Sequence, residues 1–215
     1  MGAVRHGVPI ELAVQLRDEL GLVGAVETGT YLGESTVRLA EHFKHVSTVE
    51  LGEQLWREAK ERHTAVRNVT FLQGASEHVL AGVADAADGP LLYWLDGHWS
   101  GGVTAGESNE CPLLEEIDAV DASPHGAGSV ILIDDARLFL APPPPPHDRA
   151  QWPSLMDVTD KLRATHDRFV TVLEDAIIAV PMSARRVVED YGMASQWVAA
   201  SEKKGLLARL RVGRH

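Results

Sequence analysis

The carboxylates most able to do chemistry in this chain, Glu27, Glu50, Asp96, Asp134 and Asp135, each stand where an apolar run gives way to a turn. Glu27 belongs to the stretch Val26-Glu27-Thr28-Gly29-Thr30-Tyr31-Leu32-Gly33-Glu34-Ser35-Thr36, in which an acid and two glycines separate a strand-like run from an amphipathic one. Such a junction cradles a nucleoside-bearing ligand. Gly29 and Gly33 permit positive φ and close backbone approach, and the helix that follows presents unpaired N–H groups. A pyrophosphate is disfavoured, because the dinucleotide fingerprint G-x-G-x-x-G needs a small residue where Thr30 or Tyr31 stands. Glu50 closes the run Val46-Ser47-Thr48-Val49, roughly 20 residues beyond the glycine turn, where a doubly wound fold places the acid that accepts hydrogen bonds from ribose hydroxyls.

The second half of the chain repeats the pattern. Leu91-Leu92-Tyr93-Trp94-Leu95 runs into Asp96-Gly97-His98-Trp99, and Ser129-Val130-Ile131-Leu132-Ile133 runs into Asp134-Asp135. If both runs are parallel strands of one sheet, their ends open on the same edge as the glycine turn and the three aspartates converge there. Hard oxygen ligands of this kind suit Mg²⁺, Mn²⁺ or Ca²⁺ better than zinc. The competing reading is plain: a strand-end aspartate also caps a helix or turns the chain, and a histidine beside a tryptophan also simply packs. Cys111 reads as a small buried hydrophobe and His147, after the prolines, as an exposed loop residue that would close over a substrate if it acted at all.

The elements that must position these residues alternate. After a helix over 9–20, the periodicity predicts strands at 23–27, 46–50, 69–72, 91–95 and 129–133, with helices at about 34–43, 53–66, 76–86 and 111–120 between them. That order implies an α/β Rossmann-like, doubly wound and mostly parallel sheet with helices on both faces. A helix over 153–166 follows the proline run Pro142 to Pro146, which is stiff and extended. The runs 169–173 and 176–180, separated by Glu174-Asp175, predict a terminal antiparallel hairpin, and 184–200 a last helix. At 215 residues and 45% hydrophobic content, residues 1–215 are expected to form one domain, with 98–112 and 136–152 as active-site loops.

A formal net charge of −11 with scattered Lys and Arg, apart from the tail between Lys203 and Arg214, argues against nucleic acid as a partner. The single cysteine excludes an internal disulfide and fits a reducing, cytoplasmic setting, and the charged first 20 residues predict neither a leader nor a membrane span. The expected partner is a small-molecule acceptor, and a homo-oligomer is compatible with the sequence.

The pattern Glu27-x-Gly29-x-x-x-Gly33 resembles the first motif of the class I S-adenosylmethionine (SAM)-dependent methyltransferases. Together with Glu50, Leu95-Asp96-Gly97-His98 and Ile133-Asp134-Asp135, it resembles the macrocin, mycinamicin and aminocoumarin sugar O-methyltransferases of antibiotic biosynthesis. This likeness spans roughly residues 20–140 and is carried by these short motifs. The resemblance implies SAM as cofactor, bound by Glu27, Gly29, Tyr31, Gly33, Glu50, Ser76 and Asp96, with Ser76 standing where the adenine contact is usually acidic. It further implies a divalent cation such as Mg²⁺ on Asp96, Asp134 and Asp135 holding the acceptor hydroxyl, with His98 or Asp96 as catalytic base. The loop 98–112 would replace the longer lid of that family. Two rivals remain at this level: an NAD-dependent oxidoreductase, which would share the logic of Glu50, and a non-catalytic Rossmann-like binding protein.

Overall fold

The computed structural model describes residues 7–101, 104–141 and 143–195. Helix α1 (Ile10–Leu20) precedes β1 (Gly24–Thr28), α2 (Glu34–Ala40), β2 (Val46–Glu50), α3 (Glu53–Arg62), β3 (Val69–Gln73), α4 (Ser76–Asp85) and β4 (Leu91–Leu95). Then come α5 (Leu113–Ala122), β5 (Val130–Ile133), α6 (Ala136–Leu140), α7 (Leu155–Ala164), β6 (Arg168–Leu173) and β7 (Ala176–Pro181). A helix over 185–195, α8, ends the described chain. The remainder of the stretch expected to be helical, and the basic tail, lie outside the described residues.

The seven strands form one sheet in the order β3-β2-β1-β4-β5-β7-β6. The first five are parallel, β7 runs antiparallel to β5, and β6 antiparallel to β7. The expected α/β architecture and its terminal hairpin are therefore present. Strands β1, β4, β5 and most of β7 are buried throughout, as strands covered on both faces must be. Alternation divides their side chains between two cores. Leu92 and Trp94 pack with α1 residues Leu12 and Leu16 on one face, and Leu91, Tyr93 and Leu95 pack with Leu80, Ile117 and Val158 on the other. Glu174 and Asp175 turn the hairpin with φ of 52° and 71°, the positive pair that a tight two-residue connection needs.

The hairpin is anchored by a charge. Arg168 is 1% exposed, and its guanidinium lies 2.6 Å from Asp121 while donating to the carbonyls of Leu162 and Gly126. Several predicted boundaries shift: α2 ends at Ala40 and α3 at Arg62, short of the expected 43 and 66. Pro112 moves the start of α5 to Leu113, and Ser154 starts α7 at Leu155 through a capping box with Asp157. The segment 136–152, expected to be loop, contains α6 and a 3₁₀ turn at Arg149–Gln151.

Candidate active site

Because β1, β2 and β4 are parallel neighbours, the residues following them meet at one edge, and a cleft of about 610 Å³ opens there. Of the residues singled out in the sequence, Gly29, Tyr31, Glu50, Ser76, Asp96 and His98 line it. Glu27, Gly33, Asp134 and Asp135 are not among the described residues that do.

Glu50 is a buried carboxylate in the cleft wall. It is 6% exposed, its Oε2 accepts from the peptide N–H of Tyr31 at 2.9 Å, and its Oε1 from that of Gly52 at 2.8 Å. Two backbone donors thus fix the carboxylate, while each oxygen keeps capacity to accept a hydroxyl proton. Tyr31 makes this possible by adopting φ of 45°, which turns its N–H toward Glu50 and leaves its side chain 47% exposed.

The two glycines have the expected positive φ, and each is also confined by a neighbour. Gly29 has φ of 81°, and a Cβ built on it would fall 2.1 Å from the carbonyl oxygen of Asp96. It is needed because the end of β1 passes directly against the end of β4, in addition to any ligand above it. Gly33, with φ of 78°, caps the start of α2, and its Cβ would meet the His63 ring at 2.7 Å; that ring is in turn held on the Leu32 carbonyl at 2.8 Å.

Glu27 lies deeper than the glycines, below the cleft lining. It is 1% exposed, and its Oε2 accepts hydrogen bonds from the hydroxyls of Thr36 and Thr48, the latter at 2.6 Å. Burial pushes its carboxyl up to about 7 against the pull of those two hydroxyls, with the Glu50 charge adding to the rise. Glu27 therefore ties α2 to β2 beneath the glycine turn. Its carboxylate faces threonines and does not line the cleft.

Asp96 and His98 also line the cleft, and Asp134 and Asp135 lie behind them, outside its lining. The His98 ring is wedged between two carboxylates, with Nδ1 3.7 Å from Asp96 Oδ1 and Nε2 3.3 Å from Asp135 Oδ2. Burial alone would lower the pKa of this imidazole. The hydrogen bond to Asp135 and the charges of Asp96, Asp135 and Asp134 reverse that, so it titrates above its ordinary value. Asp96 is raised well above the carboxylate range by burial, with His98 opposing and Asp134, Asp135 and Glu27 reinforcing. Asp134 is pushed up to about 6 by burial and by Asp135, and its Oδ1 accepts from the Asp135 N–H at 2.7 Å. Asp135 caps α6 at φ of 56° and binds Arg137 Nη1 at 2.6 Å through its other oxygen. Burial would raise its carboxyl, but His98 and Arg137 hold it below the ordinary value.

These contacts bear on the expected cation. Among the described residues no group of three or more His, Cys, Asp or Glu is arranged to hold a metal ion. Asp135 spends its oxygens on His98 and Arg137, and Asp134 turns one toward its own neighbour's N–H. As arranged, the three aspartates do not form a divalent ligand set, because His98 stands between Asp96 and Asp135 and Arg137 holds the other oxygen of Asp135.

Two acids escaped the sequence reading. Glu116, on the inward face of α5, is 2% exposed and interacts with the hydroxyls of Ser76 and Thr28 directly under the cleft; burial pushes it up to about 7. A carboxylate in phase with Leu113, Ile117 and Val120 was the available signal. Glu110, also 2% exposed, binds His147, so that histidine is a structural partner and not a free loop residue. Cys111 is buried and burial pushes its thiol up to about 12, which removes it from nucleophilic roles.

No known protein family matches the chain by sequence, and no curated protein does so either. Solved structures do resemble it in shape. A methyltransferase of Podospora anserina, PaMTH1, bound to S-adenosylhomocysteine (SAH), superposes with a TM-score of 0.55 at 16% identity, covering 79% of this chain and 76% of its own. The O-methyltransferase TomG of Streptomyces achromogenes, involved in tomaymycin synthesis and in complex with SAM, gives 0.54 at 16% identity over 79% and 77%. An O-methyltransferase of Bacillus cereus in complex with SAH gives 0.52 at 17% identity over 80% of each chain. The fold is that of the Rossmann-like methyltransferases. No described helix is long and apolar enough to cross a membrane.

Proposed function

We propose that this protein is a SAM-dependent methyltransferase acting on a hydroxyl of a small molecule. The observation that carries the reading is Glu50, a buried carboxylate at the end of β2 that faces the cleft and is fixed by two peptide N–H groups. It would accept the ribose hydroxyls, with Ser76 and Glu77 at the adenine end and the turn 29–31 beneath the methionine portion. The sulfonium already activates the methyl group, so the protein has to align the acceptor and take its proton. The acceptor oxygen attacks the methyl carbon as the carbon–sulfur bond breaks, leaving SAH as a neutral thioether.

Asp96 is the better base of the two residues considered. Both residues line the cleft, but both ring nitrogens of His98 face carboxylates, whereas Asp96 faces a single imidazole nitrogen through Oδ1. His98 then orients Asp96. No step is assigned to a divalent cation, since the aspartates are already engaged. We further propose, from the sequence resemblance, that the acceptor hydroxyl belongs to a sugar of the macrocin type and that the setting is natural-product biosynthesis; the single cysteine supports a cytoplasmic location, and a homo-oligomeric state is proposed beside it.

Isothermal calorimetry with SAH and with NAD⁺ tests the cofactor: SAH should bind and NAD⁺ should not. Transfer from methyl-labelled SAM to hydroxylated small molecules, with and without EDTA, tests the rest. Activity lost on chelation and restored by Mg²⁺ would overturn the metal-free mechanism.

A further inference from the structure

Among the described residues of the loop 98–112, Glu110 makes the most hydrogen bonds. Its Oε2 accepts from Trp152 Nε1 at 2.7 Å and lies 3.0 Å from His147 Nδ1, and its Oε1 accepts from the peptide N–H of Asp148 at 2.8 Å. Its own N–H donates to Gln151 Oε1 at 2.8 Å, and its carbonyl accepts from the N–H of Trp99 at 2.7 Å. Four of these five bonds reach the segment 136–152, and the fifth holds the residue that follows His98. The rings gathered around this carboxylate complete the link. Trp152 stands edge-on to His98 with centroids 5.5 Å apart, and His147 edge-on to both Trp99, at 5.0 Å, and Trp152, at 5.7 Å. A buried carboxylate accepting several charge-assisted bonds is a rigid node, because removing any one leaves a buried polar group unpaired.

We propose that Glu110 is the positioning residue for His98: by binding Trp152, His147 and Asp148 at once it joins the two loops and fixes the imidazole against Asp96 and Asp135. This rests on the methyltransferase reading only for its consequence, that Asp96 is held toward the acceptor. Glu110 itself does not touch the cleft. Its effect passes through Trp152, whose ring sets one wall of the His98 pocket, and through Trp99, whose N–H sets the turn after it.

The test uses the ¹⁵N chemical shifts of the His98 ring, which report tautomer and hydrogen bonding, in the native chain and in Glu110→Gln and Trp152→Phe. The amide of Glu110→Gln keeps the shape but accepts on one atom only, and Trp152→Phe keeps an aromatic wall but loses the Nε1–H. Both variants should shift the His98 resonances, in the same direction, while SAH affinity measured by calorimetry stays within about twofold, since Glu50, Ser76 and the turn 29–31 stand on other elements. His98 shifts identical to native in both folded variants would overturn the proposal. Should Glu110→Gln fail to fold, Gln151→Ala, which removes the acceptor of the Glu110 N–H without touching His98, decides by the same criterion. A native chain that binds no SAH would sink the methyltransferase reading, and the His98 shifts would still decide whether Glu110 positions the ring.

Discussion

Glu50 is where a single carboxylate should show most directly in cofactor affinity. Glu50→Ala removes an acceptor with both oxygens placed by backbone donors, and hydrogen bonds to a charged group contribute about 1.5–3 kcal/mol, so SAH binding measured by calorimetry should weaken by that amount. An unchanged dissociation constant would take Glu50 out of the ribose role. Glu116 makes a prediction about pH. Burial raises its carboxyl from 4.5 unfolded to about 7 folded, so the native state holds a proton that the unfolded chain releases, and stability falls as pH rises through that window. Glu116→Gln cannot ionise. Relative to the native chain it should gain stability above pH 7, on the order of 3 kcal/mol at most, and gain little near pH 4.5. Urea denaturation at pH 5 and pH 8 checks this, and equal gains at both would refute the assignment. Glu27, raised to about 7 as well, contributes a slope of the same sign.

At the scale of elements, the junction between β1 and α2 distinguishes two glycines that look alike in sequence. The obstacle at Gly29 is the Asp96 carbonyl, backbone of a central strand, whereas the obstacle at Gly33 is the ring of His63, a side chain that can rotate. Both also sit at positive φ, which costs a residue with a side chain about 1–2 kcal/mol. Gly29→Ala should therefore destabilise by more than about 2 kcal/mol and loosen SAH binding together with the fold, while Gly33→Ala should cost about 1–2 kcal/mol. Chemical denaturation of both variants gives the order, and a more stable Gly29→Ala would contradict it. The start of α7 offers an independent check: Ser154→Ala removes a capping box far from the cleft and should cost about 1 kcal/mol with SAH affinity unchanged.

For the whole molecule, a ligand that binds only the folded state stabilises it by mass action. SAH at a hundred times its dissociation constant adds about 2.7 kcal/mol, or about 5–11 °C in Tm for a chain of this size, and NAD⁺ at the same concentration should add nothing. A shift with NAD⁺ and none with SAH would restore the oxidoreductase rival. The five parallel strands, the helices between them and the closing hairpin were legible in the sequence because each rests on local periodicity, which a strand covered on both faces or an amphipathic helix cannot hide. Helix α6 was not, since five residues are too few to show a period.

Glu50, Asp96 and His98 were found for a related reason: in a parallel sheet, the end of a strand and the ligand edge are the same place, so position along the chain is already position in space. Partnership is a different matter. That Glu27 faces two threonines, that His98 takes up Asp135, one of the aspartates expected to bind a metal, and that Glu110 ties His147 and Trp152 to the turn after His98 all depend on residues 9 to 42 positions apart meeting in three dimensions. Spacing along the chain determined which groups reach the cleft. Only the tertiary structure decided which of them remain free to act there, because burial and hydrogen bonding are set by neighbours that the local sequence does not contain.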